Sequence, residues 1–244
     1  IFMGTPDFAV PILKKINDSE HKILEVYTQP PKKKNRGQKI NTTPVHDFSV
    51  KNGLKVRSPT NLNTSKEFNE LKKSNPDVVL VVAYGKIIPS NFLEIKKINF
   101  INIHASLLPK WRGAAPIQRA IMNLDSETGI SIMKIMPKID SGPIMLKAKV
   151  ALKKNTNYED LSRILSELGA EKIVQALDLI EKKKAIFLEQ DEKEATYAKK
   201  IDKYESKIVW TNNAKNIIAK INAFNPSPGL WFNYKGSRIK ILKA

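Results

Sequence analysis

The sequence predicts an α/β fold in which a doubly wound, mostly parallel sheet occupies roughly residues 1–150. Continuous apolar runs bounded by turn residues, such as DVVLVVAYG (77–85), are typical of central parallel strands that are covered on both faces. These runs alternate with segments of helical periodicity, which favours strand–helix–strand units. No apolar run reaches the length of about 18 residues that a membrane-spanning helix needs.

The first half of the chain supplies most of the predicted sheet. IFMGTPDF reads as a strand and a turn, with Asp7 as the N-cap of a helix over Ala9–Ile16. ILEVYTQ is a second strand and INFINIH a later one. Between them, Thr64 and Glu67 form a capping-box pair for a helix that ends before Pro76.

The second half continues with a helix at APIQRAIMNL and two strands, ISIMKIM and IMLKAKV, separated by the turn PKIDSGP. A long amphipathic helix over residues 156–181 is predicted to be capped by Thr156 with Glu159. TNNAKNIIAKINAF is one more helix, and LWFNYKGSRIKIL alternates like a β-hairpin around Lys235-Gly236-Ser237.

Composition divides the chain into three parts. We expect a first domain over residues 1–183, a polar linker over 184–207, and the beginning of a second, incomplete domain over 208–244. Two strands do not make an independent β domain, so this last part is expected to be truncated. The abrupt start at Ile1, in the middle of a strand pattern, suggests that the native start is missing as well.

The chain carries a formal net charge of +18, with 42 Lys and Arg against 24 Asp and Glu. Such an excess favours a polyanionic partner such as a nucleic acid, although a lysine-rich coding bias is an open alternative. The charge clusters in PKKKNRGQK (residues 31–39, the basic segment), which has neither helical nor strand periodicity. Its cationic residues are Lys32, Lys33, Lys34, Arg36 and Lys39.

Several classes of protein are disfavoured. The sequence has no Cys, which excludes disulfides and thiolate metal sites and fits a reducing compartment. The only histidines, His21, His46 and His104, lack the clustered spacing of a metal site, so no metal is expected. Gly4 stands alone after the first strand, without the glycine fingerprint of a nicotinamide-dependent dehydrogenase.

Ligands of doubly wound sheets bind beyond the carboxyl ends of the strands, here the loops after Ala83, His104 and Met136. Asn102 and His104 are two residues apart and therefore project from the same face of their strand. The loop at Asp140 could bring a carboxylate to the imidazole. An amide, an imidazole and a carboxylate suit acyl transfer by direct amine attack. A structural histidine and a turn-forming aspartate remain alternatives.

The longest motifs, NIHASLLPKWRGAAPIQRAI (102–121) and ETGISIMKIMPKIDSGPIM (127–145), resemble the methionyl-tRNA formyltransferase family. FMGTPDFAVPIL, TQPPKKKNRGQK, VVAYGKIIP, ATYAKKID and INAFNPSPGLW match it too, so the resemblance covers essentially the whole chain. The Asn-x-His, SLLP and Asp pattern belongs to the whole superfamily that uses 10-formyltetrahydrofolate. AAPIQRAI and AFNPSPG narrow it to the tRNA enzymes.

The resemblance implies a Rossmann-like formyltransferase catalytic domain over residues 1–183 and, from residue 208, the beginning of a tRNA-binding domain that is an OB-like β-barrel. It also implies a cytoplasmic, monomeric enzyme of translation initiation. The formyl donor would be 10-formyltetrahydrofolate and the acceptor initiator methionyl-tRNA, without a metal. Another folate-dependent formyltransferase, acting on a sugar nucleotide or a purine precursor, and a non-catalytic nucleic-acid-binding protein are the alternatives. The basic segment argues against a small acceptor.

The resemblance also assigns roles to matching positions, in three sets. Asn102, His104 and Asp140 match the catalytic trio. Folate contact is implied for Ser106, Leu107, Leu108, Pro109, Tyr84, Gly85 and Ile87, and tRNA contact for Arg36 with Lys32, Lys33, Lys34 and Lys39. The basic segment departs from the usual pattern at Pro31 and Asn35, which affects its expected geometry more than its charge.

Overall fold

A computed structural model describes residues 1–34 and 39–244. Its α-helices within those residues carry most of the helical periodicity noted above. They are α1 (Val10–Asn17), α2 (Pro44–Lys51), α3 (Ser65–Ser74), α4 (Ser90–Leu93), α5 (Pro116–Met122), α6 (Tyr158–Glu181) and α7 (Ala214–Phe224). Short 3-10 turns lie at Asp7–Ala9, Glu192–Glu194 and Lys203–Ser206.

The strands of the described residues are mostly short, between two and eight residues long. They are β1 (Phe2–Gly4), β2 (Val26–Tyr27), β3 (Lys32–Lys34), β4 (Lys39–Asn41), β5 (Val56–Arg57), β6 (Val78–Val82), β7 (Asn99–His104), β8 (Arg112–Gly113), β9 (Glu127–Lys134), β10 (Ile144–Ala151), β11 (Tyr197–Ala198), β12 (Leu230–Tyr234) and β13 (Ser237–Ile241).

Seven strands form one sheet in the order β10-β9-β7-β6-β1-β2-β5. The pairs β7–β6, β6–β1, β1–β2 and β2–β5 are parallel. The chain builds outward from β1 through β2 to β5, then returns to the other side of β1 with β6 and β7. This reversal confirms the predicted doubly wound sheet and places its topological switch point between β1 and β6.

Helices cover both faces of the central strands. On one face, Met3, Val79 and Phe100 pack in a buried cluster with Leu71 of α3 and Phe92 of α4. On the other face α6 approaches closely: a Cβ added at Gly169 would lie 3.1 Å from Ile12 of α1 and 3.5 Å from Ile103 of β7. Burial on both sides explains why these strands read as unbroken apolar runs.

The residues group into two compact units. The first unit contains Ile1–His104, Ile132–Leu146 and Ser166–Glu189, and the second contains Ala105–Ser131, Lys147–Leu165 and Gln190–Ala244. Within the second unit β8 pairs with β11, and β12 and β13 form the predicted antiparallel hairpin. Lys235 and Gly236 connect the hairpin with φ of 44° and 78°, as a tight two-residue turn requires.

Two predicted helix caps are wrong. Asp7 does not cap α1, because residues Asp7–Ala9 form a 3-10 turn closed by Ala9 N–H donating to the Pro6 carbonyl, and α1 begins only at Val10. At α6 the cap is Asn157, whose Oδ1 accepts from Asp160 N at 2.9 Å, instead of Thr156. The Thr64 cap is confirmed, since its hydroxyl accepts from Glu67 N at 3.2 Å.

The basic segment is not as irregular as its sequence suggests. Lys32–Lys34 and Lys39–Asn41 pair as antiparallel strands, with Lys34 opposite Lys39. Lysine is depleted in strands, so the sequence does not predict these two strands and only the pairing between the two arms reveals them. The 184–207 stretch also contains regular structure, namely β11 and two 3-10 turns.

Candidate active site

Asn102 and His104 lie at the carboxyl end of β7, as predicted. The register pairs Val79 with Phe100 and Val81 with Asn102, so the two polar side chains continue the face that Val79 and Phe100 occupy. Their Cα atoms are therefore about 6.6 Å apart along one face of an extended strand. His104 is 6% exposed, while Asn102 is half-buried.

The structure brings Asp140 to His104. Nδ1 of His104 lies 3.5 Å from Oδ2 of Asp140, and the two side chains are 7% and 18% exposed. A carboxylate at this nitrogen favours the tautomer that carries a proton on Nδ1. Nε2 is then the ring nitrogen that can exchange a proton with a substrate.

The loop that carries Asp140 connects β9 to β10, and backbone hydrogen bonds hold it in place. Lys134 N donates to the Pro143 carbonyl at 3.0 Å, and Ile135 N donates to the Phe100 carbonyl of β7 at 2.9 Å. Gly142 packs so tightly that an added Cβ would lie 2.0 Å from the Lys134 carbonyl oxygen. Asp140 itself adopts a left-handed conformation, with φ of 46°. These contacts hold the carboxylate beside β7.

The Asn102 amide is a potential donor. Within residues 1–34 and 39–244, no side-chain hydrogen bond engages this amide, which is half-buried at the end of an otherwise apolar face. A pre-positioned NH2 group of this kind can stabilise a developing oxyanion. The three groups therefore offer an oxyanion donor, a proton-transfer group and a carboxylate that orients it.

The loop after β6 lies at the switch point. The Tyr84 carbonyl accepts from the Thr5 hydroxyl at 2.8 Å and from Gln29 Nε2 at 3.1 Å, which ties this loop to the ends of β1 and β2. Gly85 has φ of 77°, and Ile87 is 90% exposed. The Tyr84 side chain packs in the apolar cluster instead, and burial raises the pKa of its phenol to about 12. Only its backbone can then face a ligand.

In the second unit, the turn predicted to contact folate is well defined. Ser106, Leu108 and Pro109 are buried, and Leu107 is partly exposed. The Ser106 hydroxyl donates to the Lys110 carbonyl at 2.6 Å. These residues form one compact turn.

The predicted tRNA contacts are only partly described. Lys32 is exposed, and its Nζ donates to Gln29 Oε1 at 2.8 Å. Lys33, Lys34 and Lys39 lie on the paired strands β3 and β4. Arg36, the residue to which the resemblance gives the most specific role, lies outside the described residues.

Sequence reasoning missed a polar group at the amino ends of the strands. His21 Nε2 lies 2.9 Å from Asp178 Oδ1, and Glu181 lies near both, so that one ligand atom from each falls within 4.8 Å of the others. His21 and Glu181 line a cavity of about 800 Å³ that also touches Asn99. His21 and Asp178 are 157 positions apart in the sequence, and no local sequence pattern connects them.

Two family models match the chain. The formyl transferase model matches residues 1–177, and the formyl transferase C-terminal domain model matches residues 200–244. A protein from Pelagibacter ubique with the name methionyl-tRNA formyltransferase is 53% identical over 100% of this chain and 79% of its own length. The chain belongs to the methionyl-tRNA formyltransferase family. It is therefore an enzyme of formyl transfer, as the sequence motifs predicted.

Other members of the methionyl-tRNA formyltransferase family are similar over the same span. The protein from Paramagnetospirillum magneticum is 41% identical over 100% of this chain and 80% of its own length.

The domain and linker boundaries predicted at residues 183 and 207 stay predictions. Among the described residues, no helix combines the length and apolarity that crossing a bilayer requires.

Solved structures share the fold. An N-formyltransferase from Helicobacter canadensis, in complex with folinic acid and dTDP-3-aminofucose, superimposes with a TM-score of 0.76 and is 21% identical, covering 99% of this chain and 85% of its own. A 4-N formyltransferase from Francisella tularensis gives a TM-score of 0.78 at 17% identity, covering 98% and 94%. At 21% and 17% sequence identity, the likeness to these two structures shows a shared fold and nothing more.

Proposed function

We propose that this enzyme transfers the formyl group of 10-formyltetrahydrofolate to the α-amino group of methionine on initiator tRNA. The observation that carries the proposal is the trio at the end of β7. His104 and Asp140 lie 3.5 Å apart, and Asn102 occupies the same strand face. The support for the acceptor comes from the curated relatives, which bear the name methionyl-tRNA formyltransferase over the whole length of this chain.

In the proposed reaction the methionyl amine attacks the formyl carbon directly. A C–N bond forms, and the carbonyl electrons move onto oxygen as a tetrahedral oxyanion. The amide of Asn102 donates a hydrogen bond to that oxygen. Collapse of the adduct breaks the bond to N10 of the folate, and tetrahydrofolate leaves with the formylated amine as the other product.

His104 moves the proton in this scheme. Its Nε2 accepts the proton that the amine loses and returns it to N10 as the folate departs, so the enzyme ends each cycle in its starting state. Asp140 orients the ring through Nδ1 and stabilises the imidazolium that forms in between. Protonated His104 also helps Asn102 to neutralise the oxyanion.

Each predicted binding set has its place in the proposal. Folate contacts Tyr84 through its backbone, and it also contacts Gly85 and Ile87. A second set of folate contacts comes from the turn Ser106–Pro109. Arg36 and the lysines of the basic segment contact phosphates of the tRNA. We further propose that the enzyme acts as a monomer in the cytoplasm and needs no metal.

A formylation assay tests the acceptor. Purified protein with 10-formyltetrahydrofolate is expected to formylate methionine on charged initiator tRNA at least tenfold faster than on charged elongator tRNA. A parallel reaction offers a dTDP-amino sugar, the class of acceptor bound in the Helicobacter structure. Formylation of the sugar but not of the tRNA would overturn the proposal in favour of a small-acceptor formyltransferase.

A salt titration tests the role of the charge. If the basic segment contacts phosphates, the logarithm of the tRNA affinity falls linearly with the logarithm of salt concentration, and Lys32→Ala lowers the slope by about one unit. Lys66→Ala, an exposed lysine on α3, is the matched control. An affinity that barely responds to salt would mean that the +18 charge reflects composition alone.

A further inference from the structure

Ser131 of β9 contacts the turn Ser106–Pro109 at two points. Its hydroxyl donates to the Ser106 carbonyl at 2.8 Å and accepts from Leu108 N at 3.0 Å. Ser131 is completely buried, as are Ser106 and Leu108. One hydroxyl therefore satisfies a buried carbonyl and a buried N–H on either side of Leu107.

Strand β9 is also shaped to receive the turn. Gly129 lies two residues before Ser131 and on the same face. A Cβ added there would lie 2.7 Å from Cδ2 of Leu107 and 2.0 Å from the Ala148 carbonyl oxygen. The missing side chain at position 129 leaves the space that Leu107 occupies, and the hydroxyl at position 131 fixes the backbone beside it.

Other hydrogen bonds among the described residues also close the turn. The Ser106 hydroxyl donates to the Lys110 carbonyl at 2.6 Å, and Thr196 N donates to the Pro109 carbonyl at 3.2 Å. Lys110 N also donates to the Leu107 carbonyl at 3.2 Å. These contacts leave the Ser106 carbonyl and the Leu108 N–H to Ser131, which therefore fixes the two peptide groups that flank Leu107.

We infer that Ser131 is a positioning residue that sets the conformation of the turn Ser106–Pro109 for folate binding. The inference rests on the proposed function, which assigns folate contact to this turn. Without the hydroxyl, the Ser106 carbonyl and the Leu108 N–H would lose the partner that the described residues give them, and both groups are buried. Such groups are costly, so the turn would move to satisfy them elsewhere. The residue acts through the turn and does not itself need to touch folate.

A matched pair of variants isolates the hydroxyl. Threonine and valine have nearly the same branched shape, but only Ser131→Thr keeps the hydroxyl that donates and accepts hydrogen bonds. Ser131→Val is expected to raise the KM for 10-formyltetrahydrofolate about tenfold, whereas Ser131→Thr stays within about threefold of the parent. The KM for charged initiator tRNA should change little in either variant. Calorimetry with 5-formyltetrahydrofolate as the probe measures folate affinity directly on the full chain.

A second buried serine provides the control for a merely structural role. Ser166 of α6 is 2% exposed, and its hydroxyl donates to the Phe8 carbonyl at 2.6 Å, away from the turn. Ser166→Ala should lower the Tm without changing the KM for folate. If Ser131→Val does not fold, Ser131→Ala removes the hydroxyl without added volume and is compared with Ser131→Thr instead.

The outcomes separate the two proposals. Equal folate affinity for the hydroxyl-bearing and hydroxyl-free variants, or a change in Tm alone, overturns the positioning role of Ser131. A parent protein that binds no folate and formylates no tRNA overturns the proposed function instead. A rise in folate KM that is confined to the variants without the hydroxyl supports the inference.

Discussion

Two of the histidine–aspartate pairs in the first unit join residues that are far apart in the sequence, and these two pairs differ in almost every respect except chemistry. His21 and Asp178 are 2.9 Å apart, with side chains 19% and 46% exposed. His104 and Asp140 are 3.5 Å apart and far more buried, at 7% and 18%. The first pair joins the loop before β2 to the end of α6. The second lies where β7 ends and the β9–β10 loop returns.

Distance and the adjacent cavity, taken alone, favour the His21 pair as the candidate site. It lies at the amino ends of the strands, however, whereas ligands of doubly wound sheets bind beyond the carboxyl ends. Only the His104 pair has an amide donor two residues away on the same strand face. A good hydrogen bond therefore does not by itself identify a catalytic pair. Its place in the sheet and its neighbouring groups do.

The largest expected effect separates the two histidines. His104→Gln removes the proton-transfer group and should lower kcat for tRNA formylation by about 10²- to 10⁴-fold. His21→Gln should leave kcat within about twofold, since general acid–base catalysis requires contact with the reacting group. Steady-state rates of the two variants measure this difference in kcat, once both variants have been shown to be folded. Equal losses in both would remove the distinction drawn above.

The next effect compares the two ends of β7. Asn102→Ala deletes the proposed oxyanion donor and should lower kcat by about 100-fold or more, with nearly unchanged folate affinity. Asn99→Ala changes the same residue type at the start of the strand, beside the large cavity, and should keep nearly full activity. An Asn102→Ala enzyme that is folded and fully active would exclude this role for the amide.

A smaller effect is expected at the two carboxylates. Asp140→Asn keeps a side chain that tolerates the left-handed conformation but removes the charge beside His104, and should lower kcat by about 10- to 100-fold. Asp178→Asn should leave the rate unchanged. Rates measured from pH 5 to pH 9 test this further, because loss of the orienting carboxylate should alter the profile only in the Asp140 variant.

The smallest effect concerns stability. The His21–Asp178 hydrogen bond is partly exposed, so His21→Gln should reduce the free energy of unfolding by about 0.5–1 kcal/mol. Urea denaturation of this variant and of the parent measures the difference. A loss of several kcal/mol would show that the pair is a structural centre of the first unit and not a peripheral contact.

Local signals predicted the central part of the fold. The run at 77–85 became β6, Thr64 caps α3, and Lys235-Gly236 connects the last hairpin. Each depends on residues close in sequence. The two-residue pairing of β8 with β11 joins Arg112 to Tyr197, and nothing near either residue indicates it. Which of two adjacent polar residues caps α6 also depends on where the helix starts, which periodicity fixes only to within a few residues.

The candidate site also combines features that local sequence predicts with features that it does not. Asn102 and His104 share a strand, so their common face followed from the strand's period of two. That Asp140 would reach His104 depends on loop closure through Gly142 and Pro143, which the turn sequence only suggested. The role inferred for Ser131 had no sequence signal. A serine in an apolar strand reveals its partners only when the turn that follows β7 is placed on it.

The left-handed backbone at Asp140 has an evolutionary consequence. At φ of 46° only glycine, asparagine and aspartate are readily accommodated. Asparagine would preserve the loop but surrender the negative charge, and glutamate would preserve the charge but strain the main chain. No single replacement keeps both the negative charge and the tolerance of a left-handed backbone. Every substitution at position 140 therefore weakens either the site or the loop. This position should be among the slowest sites to change as such enzymes diverge.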